Sequence, residues 1–424
     1  MSNLSVSAWR TRRPLVTTAK LRVMLPVGAA IFLSGALLAQ GGGAGNAPPR
    51  VAGWDAFTKM FDEAVDGDSI VGAGIVLVRD GRVVAHHEHG LADRSRRSPI
   101  SAQSIYHYGS ITKTLTAIAI MQLRDRGRLR LDDRVVDYIP ELRLIHDPYG
   151  SIDSVTIRML MSHAAGFQDP TWPYKQGKPW EPFEPTTWNQ LVAMMPYQEV
   201  HFKPGSRYSY SNPGFIYLGR IIEQLSGDPW ESYIQKNIFA PLGMTRSYFG
   251  NTPYYLAGDR SHNYNRVRDS VGRDLTIDNG ADFDPGITIP NGGWNAPLGD
   301  LATYLAFLAN ATHGDTAARR IYDTVLGHSS LEEMWRPVLP SGEDGVFMPT
   351  DSIGLSFFTV RRPHVTLVGH TGEQAGFMSF MYINPVTGTA VVAAFNTVVD
   401  VPRPAGAPPG AYRRIRDAAL SMIE

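Results

Sequence analysis

The sequence contains no cysteine. That absence excludes disulfides, thiol nucleophiles, zinc–thiolate and iron–sulfur sites, and a lipid-bearing cysteine anchor. Lysine is scarce as well, with seven in all at positions 20, 59, 113, 175, 178, 203 and 236, so each carries more information than usual. Neither sign of charge is in excess, since 40 Lys+Arg balance 40 Asp+Glu. A protein that neutralises nucleic-acid phosphates needs a basic surface, so no nucleic-acid partner is expected. No G-x-S-x-G occurs, which removes the strand–turn–helix nucleophile elbow as the setting for a reactive serine. No internal repeat is present either. What is there is a chain of 424 residues, 43% hydrophobic, enough for one large or two interleaved domains.

One long apolar run stands at the start. Arg10, Arg12, Arg13, Lys20 and Arg22 precede Val23 to Ala39, and a glycine-rich stretch from Gly41 to Gly45 leads to Pro48-Pro49. Basic, apolar and small-residue zones in that order read as a secretory signal, with residues 1–47 as leader and linker and cleavage after Ala39. The expected location is therefore periplasmic or extracellular. The alternative is a retained membrane anchor, for which seventeen residues are about the shortest spanning length and Pro26 is a weakness. Membrane contact is expected only if this segment is kept.

Along the rest of the chain, helical spacing marks Trp54 to Val65. Ile70 to Arg79 and Arg82 to Gly90 read as strands around the hairpin signal Asp80-Gly81. Ser110 to Leu123 is apolar on nearly every side, which predicts a buried central helix. Further helical spans are expected near Ile157 to Ser162, Pro213 to Leu225, Trp230 to Phe239 and Leu298 to Ala309. Strand character returns at Ile353 to Val360, His364 to Gly369, Phe377 to Ile383 and Ala390 to Asn396, with a last helix from Ala411. Two stretches lack period: Gln168 to Thr187, rich in Trp and Tyr, and Asn251 to Asn291, both read as long loops that are functional lids or disordered. Strands at both ends share one antiparallel sheet only if the ends of the chain meet. The predicted fold is α/β: a discontinuous domain (about 48–100 and 350–424) whose antiparallel sheet is flanked by N- and C-terminal helices, plus an inserted, mostly α-helical domain (about 101–349).

The chemistry centres on Ser110-Ile111-Thr112-Lys113. Residues three apart stack on one helix face, so the serine hydroxyl and lysine amine come within hydrogen-bond reach. A serine hydroxyl is a weak nucleophile and needs a base beside it. A lysine held against an apolar helix has its charged form disfavoured, which makes the basic amine accessible. At a helix start, backbone N–H groups lack helical partners, and that of Ser110 is available to an oxyanion. The bland alternative is a serine near a helix start and a lysine extended to solvent.

Two weaker elements follow. Tyr210-Ser211-Asn212 sits in a loop before a helix, where a phenol can relay a proton and an amide can hold a carbonyl. His370-Thr371-Gly372, with Glu373 after it, closes a strand run, where a backbone N–H can serve as a second oxyanion donor and glycine admits substrate backbone. His86, His87, Glu88 and His89 look like a metal cluster, but strand alternation splits them between two faces, so no metal site is expected.

The order and spacing of S-x-x-K, Y-x-N and x-T-G resemble the serine β-lactamase and penicillin-binding superfamily, most of all its class C β-lactamase-like branch. The resemblance runs from about Trp54 to Asn396 and is supported by Gly127 to Asp133, Ser162-His163-Ala164-Ala165-Gly166-Phe167 and Pro241-Leu242-Gly243-Met244. It implies that Ser110 is the acylated nucleophile, Lys113 its base and Tyr210 the proton relay. It also implies that Asn212 binds substrate amide and that the N–H groups of Ser110 and Glu373 form the oxyanion hole. His370, Thr371 and Gly372 would line the substrate, and no cofactor is implied.

One departure bears on substrate. Penicillin hydrolases of this kind usually carry lysine where His370 stands, and a neutral histidine holds an anionic substrate less well. Glu373 would repel a carboxylate too if it pointed inward. The function expected is an exported serine hydrolase on amide or ester bonds of a small-molecule or peptide substrate, such as a D-amino-acid peptide, an ester or a β-lactam-like compound. A covalent penicillin-binding sensor that deacylates slowly is the alternative. Oligomeric state is not legible.

Overall fold

A computed structural model describes residues 51–167, 185–310, 315–344, 348–349, 351–404 and 406–424. The proposed leader, and nearly all of the aromatic stretch from Gln168 to Thr187, lie outside the described residues.

Helix α1 (Trp54–Gly67) is followed by strands β1 (Gly72–Arg79), β2 (Arg82–Asp93) and β3 (Ser98–Pro99). After the middle of the chain come β4 (Leu339–Pro340), β5 (Ser352–Ile353), β6 (Phe358–Arg361), β7 (Thr366–Gln374), β8 (Phe377–Ile383) and β9 (Ala390–Phe395). All nine form one sheet in the order β3-β2-β1-β9-β8-β7-β6-β5-β4. Every pair within it is antiparallel, and β1 joins the two halves of the chain by pairing with β9, Ala73 opposite Phe395.

Both faces of the central strands are covered, which explains their nearly unbroken apolar runs. Ala73, Ile75 and Leu77 face one core together with Met378, Phe380, Tyr382, Val391, Ala393 and Phe395. That core is closed by Phe57, Phe61 and Val65 of α1 and by Tyr412, Ile415 and Leu420 of the last helix (Ala411–Ser421). Val76, Val368, Met381 and Val392 face the other core, against helix α2 (Thr112–Asp125). Residues 112–123 of α2 are buried on every side, so it is a central helix. Helix α3 (Asn212–Ser226), capped by the Ser211 side chain on the Gly214 N–H, packs beside it.

Several expectations need correction. Ile353 to Val360 is not one strand: Gly354 to Phe357 turn the chain between β5 and β6, with Ser356 at φ 72°. The stretch from Asn251 to Asn291 holds a hairpin, Tyr264–Arg268 with Asp274–Asp278, whose first strand also pairs with Thr397–Val399. Asp274-Leu275-Thr276-Ile277-Asp278 does alternate polar and apolar residues, but it is a short strand whose Leu275 and Ile277 are exposed, set in a stretch otherwise without period. Helices at Thr316–Val325 and His328–Trp335 were also not foreseen. Among the described residues no helix is long and apolar enough to cross a membrane.

Candidate active site

Ser110 lies on a 3-10 turn, Gly109–Ile111, and α2 begins only at Thr112, two residues later than the sequence pattern suggested. Thr112 holds this turn by donating its hydroxyl to the Gly109 carbonyl at 2.7 Å and accepting the Trp294 N–H at 3.0 Å. Lys113, one residue on, is completely buried. Its Nζ lies 2.9 Å from Ser110 Oγ and donates to the Asn291 carbonyl at 2.9 Å.

Burial alone drives the Lys113 amine well below the ordinary lysine range. A carbonyl only accepts, so one N–H is committed to Asn291. The neutral amine then has a lone pair to turn on the Ser110 hydroxyl, which is the arrangement a base needs. The Nζ also sits 4.9 Å from the centre of the Tyr210 ring and 5.8 Å from that of Phe215. Asn291 Nδ2 donates to Asn212 Oδ1 at 3.2 Å, so one residue ties Lys113 to the second motif. Thr112 and Asn291 were passed over in the sequence. Thr112 hid inside the S-x-x-K spacing, and Asn291 ended a stretch with no period.

The third motif sits in mid-strand, not at a strand end, because β7 runs on to Gln374. Its register with β8 pairs Thr371 with Phe380 and Glu373 with Met378, both of which face the core of the terminal helices. Directly opposed residues share a face. Thr371 and Glu373 therefore direct their side chains toward that core, and the Tyr412 hydroxyl bonds the Thr371 side chain. Any inward repulsion of substrate by the Glu373 carboxyl is thus not part of the geometry. Glu373 is exposed at the sheet margin, yet the protein around its carboxyl, with Asp400 adding repulsion, pushes it up to about 7.

His370 and Gly372 face α2. Gly372 does not leave room for substrate, as its sequence context suggested; a Cβ there would lie 1.9 Å from the Tyr108 carbonyl oxygen. Gly109, at φ 49°, is its counterpart, since a Cβ there would lie 2.9 Å from the Glu373 backbone. The two bare backbones let the Ser110 turn and β7 press together, which brings the main chain at Ser110 and Glu373 to one place. Ser379 on β8 adds a hydroxyl bond to the Tyr108 carbonyl at 3.2 Å.

His370 is buried. Its Nδ1 donates to the Thr371 carbonyl at 2.5 Å and its ring meets Phe358 edge-on at 5.2 Å. Burial, with Lys113 nearby, brings its pKa down to about 3, so it is neutral at physiological pH. Among the described residues no strand pairs with β7 beyond Gly369 on the β6 side, because β6 begins at Phe358, opposite Gly369.

The histidines at the start of the sheet divide as alternation requires. His86 pairs with Glu88 at 3.0 Å, while His87 and His89 reach Asp62 and Asp66 of α1 at 2.6 and 2.8 Å. Among the described residues no group of three or more His, Asp or Glu could hold a metal ion.

The family model described as Beta-lactamase matches residues 57–412. The chain belongs to the beta-lactamase family. Within the wider serine β-lactamase and penicillin-binding superfamily, this beta-lactamase-family chain is 24% identical to protein flp of Staphylococcus aureus (strain COL) over 329 residues, 77% of the chain and 60% of that protein. It thus spans less than two thirds of that relative's length. It superposes on the octameric penicillin-binding protein homologue from Pyrococcus abyssi with a TM-score of 0.70 and 27% identity, covering 87% of this chain and 77% of that one. The D-amino acid amidase from Ochrobactrum anthropi SV3 gives a TM-score of 0.70 at 21% identity, over 87% and 97% of the two chains. The beta-lactamase fold expected from the motifs is the fold observed.

Proposed function

We propose that this chain is an exported serine hydrolase that cleaves amide or ester bonds through an acyl-enzyme on Ser110. The observation that carries the reading is the Lys113 amine, fully buried, pushed toward its neutral form and 2.9 Å from Ser110 Oγ. Lys113 takes the Ser110 proton as the hydroxyl attacks the carbonyl. The N–H groups of Ser110 and Glu373 stabilise the oxyanion, and Tyr210 passes the proton to the leaving group and then helps activate water. Asn212 orients the substrate amide, and the backbone of the His370–Gly372 stretch lines it. The names of the relatives, a penicillin-binding homologue and a D-amino acid amidase, favour D-amino-acid amides and peptides, with β-lactams as weaker substrates because His370 is neutral.

Time-resolved mass spectrometry with a fluorophosphonate and with a β-lactam, on wild type and Ser110→Ala, tests this. The expected result is a Ser110 adduct absent from the variant, with the β-lactam adduct decaying as product is released. No adduct would remove the enzyme reading, and a permanent β-lactam adduct would favour a covalent sensor. Export is tested by sequencing the N-terminus of secreted protein, where an intact Met1 refutes cleavage after Ala39.

A further inference from the structure

His163 lies outside the three motifs, yet it makes three contacts with the segment that carries Tyr210. Its carbonyl accepts the Ser209 N–H at 2.8 Å. Its Nδ1 accepts the Ser211 N–H at 3.0 Å. Its ring stacks on the Tyr210 ring between those two anchors, with centroids 4.4 Å apart and planes at 27°. Sending the carbonyl and the ring to the same loop requires an unusual backbone, and His163 sits at φ 55°, in the left-handed region that few residues other than glycine adopt. Such a conformation persists only where the surroundings over-determine it. Here they do: the residue is 1% exposed, enclosed by Phe215 at 5.1 Å, Tyr208 at 6.0 Å and Phe358 at 6.4 Å.

The bond to Ser211 also decides the proton. A backbone N–H can only donate, so Nδ1 must carry the lone pair and the proton of the neutral ring sits on Nε2. Protonating Nδ1 would break the anchor and bury a positive charge close to Lys113 and His370. Lys113 and His370 are the titratable groups whose fields reach His163.

We propose that His163 is a positioning residue for Tyr210, holding the loop from Ser209 to Ser211 at both flanks and supporting the phenol ring so that the proton relay stays aimed at Ser110 and Lys113. The inference rests on the acyl-enzyme reading above. It predicts a defined tautomer, a rate effect larger than any binding effect, and partial rescue by a side chain that restores the ring.

The test uses the full chain. In ¹⁵N-histidine-labelled wild type, the resonance lost in His163→Phe should show an unprotonated Nδ1 and a protonated Nε2. His163→Asn keeps an acceptor and tolerates the left-handed backbone but has no ring. It should lower the rate of Ser110 modification by fluorophosphonate, and kcat on a p-nitrophenyl ester, by ~10- to 100-fold. KM should change much less, and the pH profile of kcat should shift. His163→Phe, which restores the ring, should recover part of kcat. A proton on Nδ1 in wild type overturns the proposal, as does a folded His163→Asn with wild-type kcat and pH profile. If the Asn variant fails to fold, the wild-type tautomer and the rate of the Phe variant decide. A wild type that forms no Ser110 adduct would instead remove the parent reading, and the tautomer would still be measured independently.

Discussion

Replacing Gly372 with alanine tests whether the contact between β7 and the Ser110 turn builds the oxyanion site. The added Cβ would lie 1.9 Å from the Tyr108 carbonyl oxygen, 2.8 Å from Ser379 Oγ and 2.9 Å from the Tyr108 carbonyl carbon. Two of these atoms are backbone and cannot rotate away. A carbon and a carbonyl oxygen in contact sit about 3.3 Å apart, so the strand and the turn must separate by roughly 1.4 Å. Overpacking of this kind costs about 1–3 kcal/mol of stability. Its larger effect is on chemistry, because a displacement of that size takes the Glu373 N–H out of line with Ser110. Losing one oxyanion donor costs ~10²- to 10³-fold in kcat, or about 2.7–4 kcal/mol. The assay is Ser110 modification by fluorophosphonate together with ester turnover. Gly258→Ala serves as control, since a Cβ there has nothing within 4 Å. A folded Gly372→Ala enzyme with kcat within threefold of wild type would refute the geometric argument.

Two further variants address the buried Lys113 amine and its neighbour. Lys113 has a folded pKa well below its unfolded one, so between the two the unfolded chain binds more protons and wild-type stability rises with pH. Lys113→Met should therefore melt above wild type at pH 7, with the gap closing as pH approaches the ordinary lysine range, while losing ~10²- to 10⁴-fold in acylation; a lower melting temperature would contradict the burial argument. Wild-type acylation should likewise fall as pH drops through the depressed Lys113 value, read from the pH profile of kcat/KM. His370→Lys should tighten binding of penicillin-like carboxylates, yet lower the melting temperature, because the position is buried beside Lys113. Unchanged carboxylate affinity, measured by competition with the ester, would show that charge at this position does not select substrate.

Local chemistry in the sequence determined much of this protein. Spacing alone brought Ser110 and Lys113 onto one helical face, and the apolar surroundings of Lys113 already implied a base driven toward neutrality. The pairing of chain ends followed from strand-like segments at 70–90 and 377–396 with helices between. The helix and strand periods that marked these elements arise within a few residues, so no distant contact was needed to see them. Other features depended on register and packing, which link residues far apart in the chain. Thr371 and Glu373 face the terminal helices because of the pairing of β7 with β8. Gly372 is required by the Tyr108 carbonyl, more than 250 positions earlier, and no pattern around residue 372 announces that neighbour. Asn291 joins Lys113 to Asn212 from the end of an aperiodic stretch. His163 stood in plain view within Ser162-His163-Ala164-Ala165-Gly166. Its left-handed backbone and its hold on the tyrosine loop exist only once that loop is folded against it. The sequence thus determined which groups are candidates for the chemistry, and the tertiary structure decided how they are aimed, because direction depends on contacts between segments that no local period encodes.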